Sequence, residues 1–185
     1  MTNETDEQIA TQVQEGNSEA FGELIGRYQS KLLRYGRKFL FEPEDAEDVV
    51  QDIFIKAYEN IQGFDVSRRF SPRIYRIAHN EFLNALKKRQ ASRTIFTFDI
   101  DTLFPHLAAT DTADSSALDK DLRAGLEKHL EKLDAKYREP LILYYLESMD
   151  YREISEILHI PVSTVGVRLA RARALLKREV GTDII

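Results

Sequence analysis

The sequence predicts an all-α fold: two small helical domains joined by an acidic linker, the C-terminal one a helix-turn-helix. Three observations predict it. Apolar residues recur at helical spacing along most of the chain, and no strand alternation persists. That periodicity lapses once, over residues 91–116, where Thr, Ser, Asp, Ala and Pro105 dominate. The stretch from Tyr151 to Arg178 then reads as a short helix, a tight turn and a second helix, with no acid between Ser163 and Arg178. The implied organisation is a domain over 1–92, a linker over 93–116 and a domain over 117–185.

In order, Asp6 to Glu15 predicts a short helix with Ile9 and Val13 inward. Gly16-Asn17-Ser18 stops it and caps the next, which runs from Ala20 to Phe41 with Phe21, Leu24, Ile25, Tyr28, Leu32, Leu33 and Tyr35 in register. Pro43 suits a helix first turn. Glu44, Asp45, Glu47 and Asp48 follow it there, where acids complement the helix dipole. This third helix extends to about Ile61, with Val49, Val50, Ile53, Phe54, Ala57 and Tyr58 as its apolar side. A loop from Gly63 to Ser71 leads to a fourth helix ending near Arg89, buried through Ile74, Ile77, Ala78, Phe82 and Leu86.

Beyond the linker, helices are expected from about Ala117 to Leu133 and from Tyr137 to Leu146. In the terminal pair, Ile154, Ile157 and Leu158 form the stripe of the first helix. His159-Ile160-Pro161 ends it, because the residue before a proline is pushed out of the helical region. Ser163 or Thr164 can cap the second helix. Its narrow apolar face is Val165, Leu169, Ala172 and Leu176.

The chain has 185 residues, 43% of them hydrophobic, which suffices for ordinary cores. With no cysteine, neither a disulfide framework nor a thiolate metal site can form. The acidic start MTNETDEQIA has no long apolar run, so neither a leader nor a membrane span is expected and the cytoplasm is. No appended domain is expected after Ile185. The four histidines share no ligand spacing, and no glycine-rich phosphate loop or nucleophile elbow occurs. The acids at 44–48 could serve as metal ligands, but a first turn matched to the dipole explains them better. No enzyme, catalytic residue, metal or cofactor is therefore expected.

Formal net charge is −5, but its distribution matters more than its total. Residues 67–93 carry Arg68, Arg69, Arg73, Arg76, Lys87, Lys88, Arg89 and Arg93 against Glu81 alone. The second basic cluster is the last helix. Two basic patches on an acidic background predict two nucleic-acid contacts and a separate basic protein partner. From Phe64 to Arg89 aromatics alternate with Arg and Lys, a composition suited to stacking on single-stranded bases while cations follow the backbone. Core aromatics beside solvated arginines would give the same composition.

Taken together, Asp45 to Ile61, Tyr75 to Asn80 and Tyr151 to Arg173 resemble, in order and spacing, the extracytoplasmic-function sigma factors of bacterial RNA polymerase. The resemblance covers residues 18–181. It implies a factor that binds core RNA polymerase, directs it to promoter DNA and then dissociates, with an anti-sigma factor as regulator and no membrane insertion. DAEDVVQDIFIKAYENI is similar to the helix that docks on the polymerase clamp, which implies contacts at Asp45, Asp48, Gln51, Asp52 and Phe54. YRIAHN is similar to the helix that handles the melted element, and with the preceding loop implies a single-strand path along Phe64, Arg68, Arg69, Phe70, Tyr75, Arg76 and Asn80. The acidic linker, with Asp99, Asp101, Asp111 and Asp114, would enter the basic channel reserved for RNA. The last helix resembles the upstream-element reader. Ser163, Thr164, Gly166, Val167, Ala170 and Arg171 would face the groove, with Arg168, Arg173, Lys177 and Arg178 on phosphates. Arg73 stands where the family usually has tryptophan, and Gly166 and Val167 replace its more polar recognition residues. The rival class is a stand-alone helix-turn-helix regulator acting without polymerase.

Overall fold

The structure, a computed structural model, describes residues 4–40, 43–92, 130 and 133–182. Every regular element among them is helical. The chain divides into two compact units, one carrying the helices up to Lys88 and one carrying the C-terminal helices.

In the first unit, α1 spans Asp6–Gln14 and opens on a capping box. The Thr5 hydroxyl accepts from Gln8 N, and the Gln8 carboxamide oxygen accepts from Thr5 N at 2.8 Å. Gly16, at φ +105°, turns the chain in a conformation that side chains rarely adopt. A 3-10 turn over Ser18–Ala20 intervenes before α2, Phe21–Leu40. The expected cap is thus corrected: Asn17 makes no side-chain capping bond, and the 3-10 turn rather than a polar cap leads into α2. α3 spans Pro43–Glu59 and ends in a second 3-10 turn, Ile61–Gly63. α4 spans Phe70–Ser92, starting one residue before the loop was expected to end.

The core of this unit is aromatic. Tyr28, Tyr35 and Phe39 from α2 meet Phe70, Tyr75 and Phe82 from α4, with ring centroids 5.0 Å apart for Tyr35–Phe82 and 5.7 Å for Tyr28–Phe70. Gly36 lets α2 approach α4, since an added Cβ would stand 2.8 Å from the buried Phe82 ring. Burial, and then the bond from its hydroxyl to Asp6, raise the pKa of Tyr28. Asp6 also takes a 2.7 Å ion pair from Arg27, which fastens α1 to α2. Lys56–Glu81 at 2.6 Å and Arg37–Glu47 at 3.0 Å link α3 to α4 and to α2.

In the second unit, Asp134 caps α5, Ala135–Leu141. The helix expected to continue to Leu146 widens instead into a π turn, Ile142–Leu146, which closes with Glu147 N donating to Ile142 O at 3.1 Å. Asp150 and Glu153 form a second capping box at the start of α6, Tyr151–Leu158. That helix ends because His159 adopts the left-handed conformation, φ 53°, a departure from the proline mechanism. Ser155 Oγ then donates to Ile160 O at 2.6 Å and fixes the turn. α7 is Val162–Thr182. Its first amide bonds, from Thr164 and Val165, go to Pro161 O, so Pro161 occupies the cap position and Ser163 and Thr164 lie in the first turn. Val165, Leu169, Ala172 and Leu176 are buried as the periodicity requires, as are Ile154, Ile157 and Leu158 of α6. The linker over 93–116 and the helix expected from Ala117 lie outside the described residues, save for buried Leu130 and Leu133.

Candidate polymerase and nucleic-acid interfaces

On α3 the buried register is Ala46, Val50, Ile53, Phe54 and Ala57. Asp48, Gln51, Asp52 and Ile55 fall on the opposite, exposed side at helical spacing. Ile55 is 54% exposed and Tyr58 43%, large apolar groups left uncovered beside acids. Sequence periodicity missed Ile55 and counted Tyr58 inward. The signal for Ile55 was an apolar residue out of phase with the buried stripe. Phe54 is mostly buried against Phe21, yet its edge lines an open cleft of about 550 Å3 between α2 and α3, with Ile25, Leu33, Val50 and Ile55. The side chain of Asp45 lies outside the described residues.

The aromatic members of the expected single-strand path are corrected. Phe64, Phe70 and Tyr75 are only 7%, 0% and 1% exposed and belong to the core. The physical reason is register: Phe70, Ile74, Ala78 and Phe82 follow one another four residues apart and share the inward face of α4, and Tyr75 lies beside them. Arg68, Arg69, Arg76 and Asn80 are exposed, and Asn84, which no charge or ring singles out in the sequence, continues the Arg76–Asn80 row toward Lys87 and Lys88. Among the described residues, the exposed side of this loop and of α4 is therefore basic and amide-bearing.

The loop before α4 has internal order. Asp65 accepts from Ser67 N at 3.0 Å and Ser67 Oγ at 2.7 Å, which lowers the pKa of its carboxyl, and Arg68 N donates to Asp65 O at 3.0 Å. Arg73 Nη2 donates to Asn60 O at 2.6 Å, and its guanidinium lies 5.2 Å from the centre of the Phe64 ring. Burial, and then neighbouring Arg76, lower the pKa of this cation.

On α7 the exposed side holds Ser163, Ala170, Ala174, Lys177 and Arg178, with Val167 half-buried beside them. Ala174 was not foreseen. Arg171 sits at the flank, its Nη1 3.5 Å from the Tyr137 hydroxyl of α5. Arg173 lies on the other flank, with Nε donating to Leu169 O at 3.3 Å. Burial disfavours its charge, but the Tyr145 and Tyr151 hydroxyls more than compensate, and its pKa is raised. Gly166 faces Tyr151, where an added Cβ would make ordinary contact at 3.6 Å. Among the described residues no cluster of acids and histidines suits a metal ion, and no helix is long and apolar enough to cross a membrane.

Two family descriptions match in chain order: Sigma-70 region 2 over residues 24–92 and Sigma-70, region 4 over residues 123–176. The ECF RNA polymerase sigma factor SigW of Bacillus subtilis is 31% identical over 176 residues, covering 91% of this chain and 92% of that protein. The chain belongs to the extracytoplasmic-function sigma factors. As such it is a transcription initiation factor that directs RNA polymerase to promoters. Solved relatives include CnrH in complex with the cytosolic domain of CnrY, with TM-score 0.73 at 29% identity over 97% of this chain and 99% of that one. Another is the sigma factor RpoE in complex with the anti-sigma factor NepR from Bartonella quintana, with TM-score 0.66 at 25% identity over 88% and 98%. These matches lend no support to the stand-alone regulator.

Proposed function

We propose that the sigma factor divides promoter recognition among three surfaces. The exposed stripe of α3, Asp48, Gln51, Asp52 and Ile55, docks on a basic helical element of core polymerase, with Phe54 and the cleft beside α2 receiving apolar side chains. The loop and outer row of α4, with Arg68, Arg69, Arg76 and Asn80, take the melted downstream strand chiefly through its phosphates. The exposed side of α7 enters the major groove of the upstream duplex.

The observation that carries this division is the separation of exposed chemistry. Acid and apolar groups share α3, whereas exposed cations dominate the loop before α4 and the end of α7. Phosphates select the second kind of surface and repel the first. On α7, Val167 and Ala170 suit thymine methyl groups, Arg171 is the polar base reader, and Lys177 and Arg178 hold phosphates. Asp99, Asp101, Asp111 and Asp114 of the linker follow the RNA channel of the polymerase. An anti-sigma factor is the natural regulator, given that RpoE, a solved relative, is held by one. The protein works where the polymerase is, in the cytoplasm, and by binding rather than catalysis.

Reconstitution tests the assignment. With purified core polymerase on genomic fragments, the chain supports initiation at discrete start sites. Asp48→Lys with Asp52→Lys lowers core affinity in a pull-down while the helical circular dichroism is retained. Undiminished affinity in that double variant removes α3 from the docking surface.

A further inference from the structure

α1 precedes residue 24, where the match to Sigma-70 region 2 begins, and no polymerase or DNA face assigned above includes it. Two of its side chains nevertheless hold the segment that carries Arg68 and Arg69. Gln14 Nε2 donates two hydrogen bonds, to Ile61 O at 2.7 Å and to Phe64 O at 2.8 Å. Glu7 Oε1 accepts from Phe70 N at 2.9 Å and so caps the start of α4. In return, Gln62 Nε2 donates to Gln14 O at 3.2 Å. Arg73 grips the same segment from the other side, through Asn60 O and the Phe64 ring.

A connection that merely joins two helices needs no such partners. Among the described residues, the turn between α6 and α7 is held by short-range bonds, Ser155 to Ile160 and Thr164 to Pro161. The loop before α4 is instead fixed at both ends by residues up to 63 positions away. A carboxamide donating to two carbonyls that face it pins the backbone between them, and a planar guanidinium can bond a carbonyl while lying over a ring.

We propose that Gln14 and Arg73 are positioning residues for promoter opening. They hold residues 60–70 in the shape that presents Arg68 and Arg69 to the separating strand, so that the loop does not have to be ordered when the strand arrives. The inference rests on the assignment of this loop to the melted strand. Neither residue touches DNA, and both act through the backbone between them.

The test uses the full chain with core polymerase. Gln14→Met keeps the length of the side chain and removes both donors, and Arg73→Lys keeps the charge and removes the planar fork. Core affinity of each variant is measured first, and then open complex by permanganate reactivity on a duplex promoter and on one already mismatched across the start region. Each variant is expected to keep core affinity within about twofold and to lose roughly tenfold in opening on duplex, the scale of one or two lost hydrogen bonds. Each should recover to within about twofold of the parent on the pre-melted template. Should Gln14→Met not fold, Arg73→Lys carries the same test. Normal opening by both variants while Arg68→Ala with Arg69→Ala is impaired overturns the positioning role alone. Normal opening in the arginine double variant overturns the assignment of the loop to the strand, and the proposal with it. A deficit that persists on the pre-melted template, or that follows lost core affinity, shows a purely structural role and also overturns it.

Discussion

α4 and α7 look alike in sequence: both are long, both rich in cations, both interleaved with apolar residues. Their inward faces differ in kind. α4 buries Phe70, Tyr75 and Phe82 against the rings of α2, whereas α7 buries Val165, Leu169, Ala172 and Leu176. The difference teaches that aromatic-basic alternation is not by itself a surface signal. Residues three, four or seven apart in a helix return to one face, as Phe70, Ile74, Ala78 and Phe82 do, and the core takes that face because burying a ring is worth more than exposing it.

The largest effect that sharpens this contrast is on stability. Phe70→Ala is expected to cost about 3–5 kcal/mol in urea unfolding, as for other fully buried aromatics. Lys177→Ala on the exposed side of α7 should stay within about 0.5 kcal/mol. If Phe70→Ala unfolds like the parent but fails to open promoters, the ring belongs to the strand path after all.

Gly36→Ala comes next. The added Cβ would stand 2.8 Å from the buried Phe82 ring, so one of them must shift, and a loss of about 1–3 kcal/mol and a lower Tm are expected. An unchanged Tm would mean that α2 and α4 pack less tightly than the aromatic contacts indicate.

On α7 the comparison turns from stability to recognition. Arg171→Ala should remove ~1–3 kcal/mol of preference at one upstream base pair, measured on a randomised element. Lys177→Ala should weaken all sequences alike and reduce the salt slope by roughly one unit. The reversed pattern would exchange the reader and the clamp.

The smallest effect concerns Gly166. With room for a Cβ beside Tyr151, Gly166→Ala should stabilise the unit by up to about 1 kcal/mol through helix propensity. Should promoter affinity fall as stability rises, DNA approaches the backbone at this residue.

What was legible in the sequence follows the same line. Helix identity and the apolar face of α7 were legible because 3.6-residue periodicity encodes them directly. The lining of the loop before α4 was not, because Gln14 and Glu7 act on residues 47 to 63 positions away, a separation that no local pattern records. The end of α6 was placed correctly for the wrong cause: Pro161 is visible in sequence, but the left-handed His159 that turns the chain carries no glycine to announce it. Ile55 and Ala174 were missed because periodicity finds the buried side of a helix and leaves the exposed side unread. In the candidate site, residue types were legible and their orientation was not. Arg171 and Arg173 stand two apart in the same basic run, with Ala172 between them, and sit on opposite flanks beside tyrosines of other segments.

The central claim is that duplex and single strand are read by separate surfaces, and footprinting of the holoenzyme tests it most directly. Upstream hydroxyl-radical protection and start-site permanganate reactivity are measured together for two double variants, Arg68→Ala with Arg69→Ala and Lys177→Ala with Arg178→Ala. The division of labour predicts that the first keeps the upstream footprint and loses strand opening. The second should lose the upstream footprint on duplex, yet hold a pre-melted start region as the parent does. Loss of both signals in equal measure by both variants, on both templates, would contradict it.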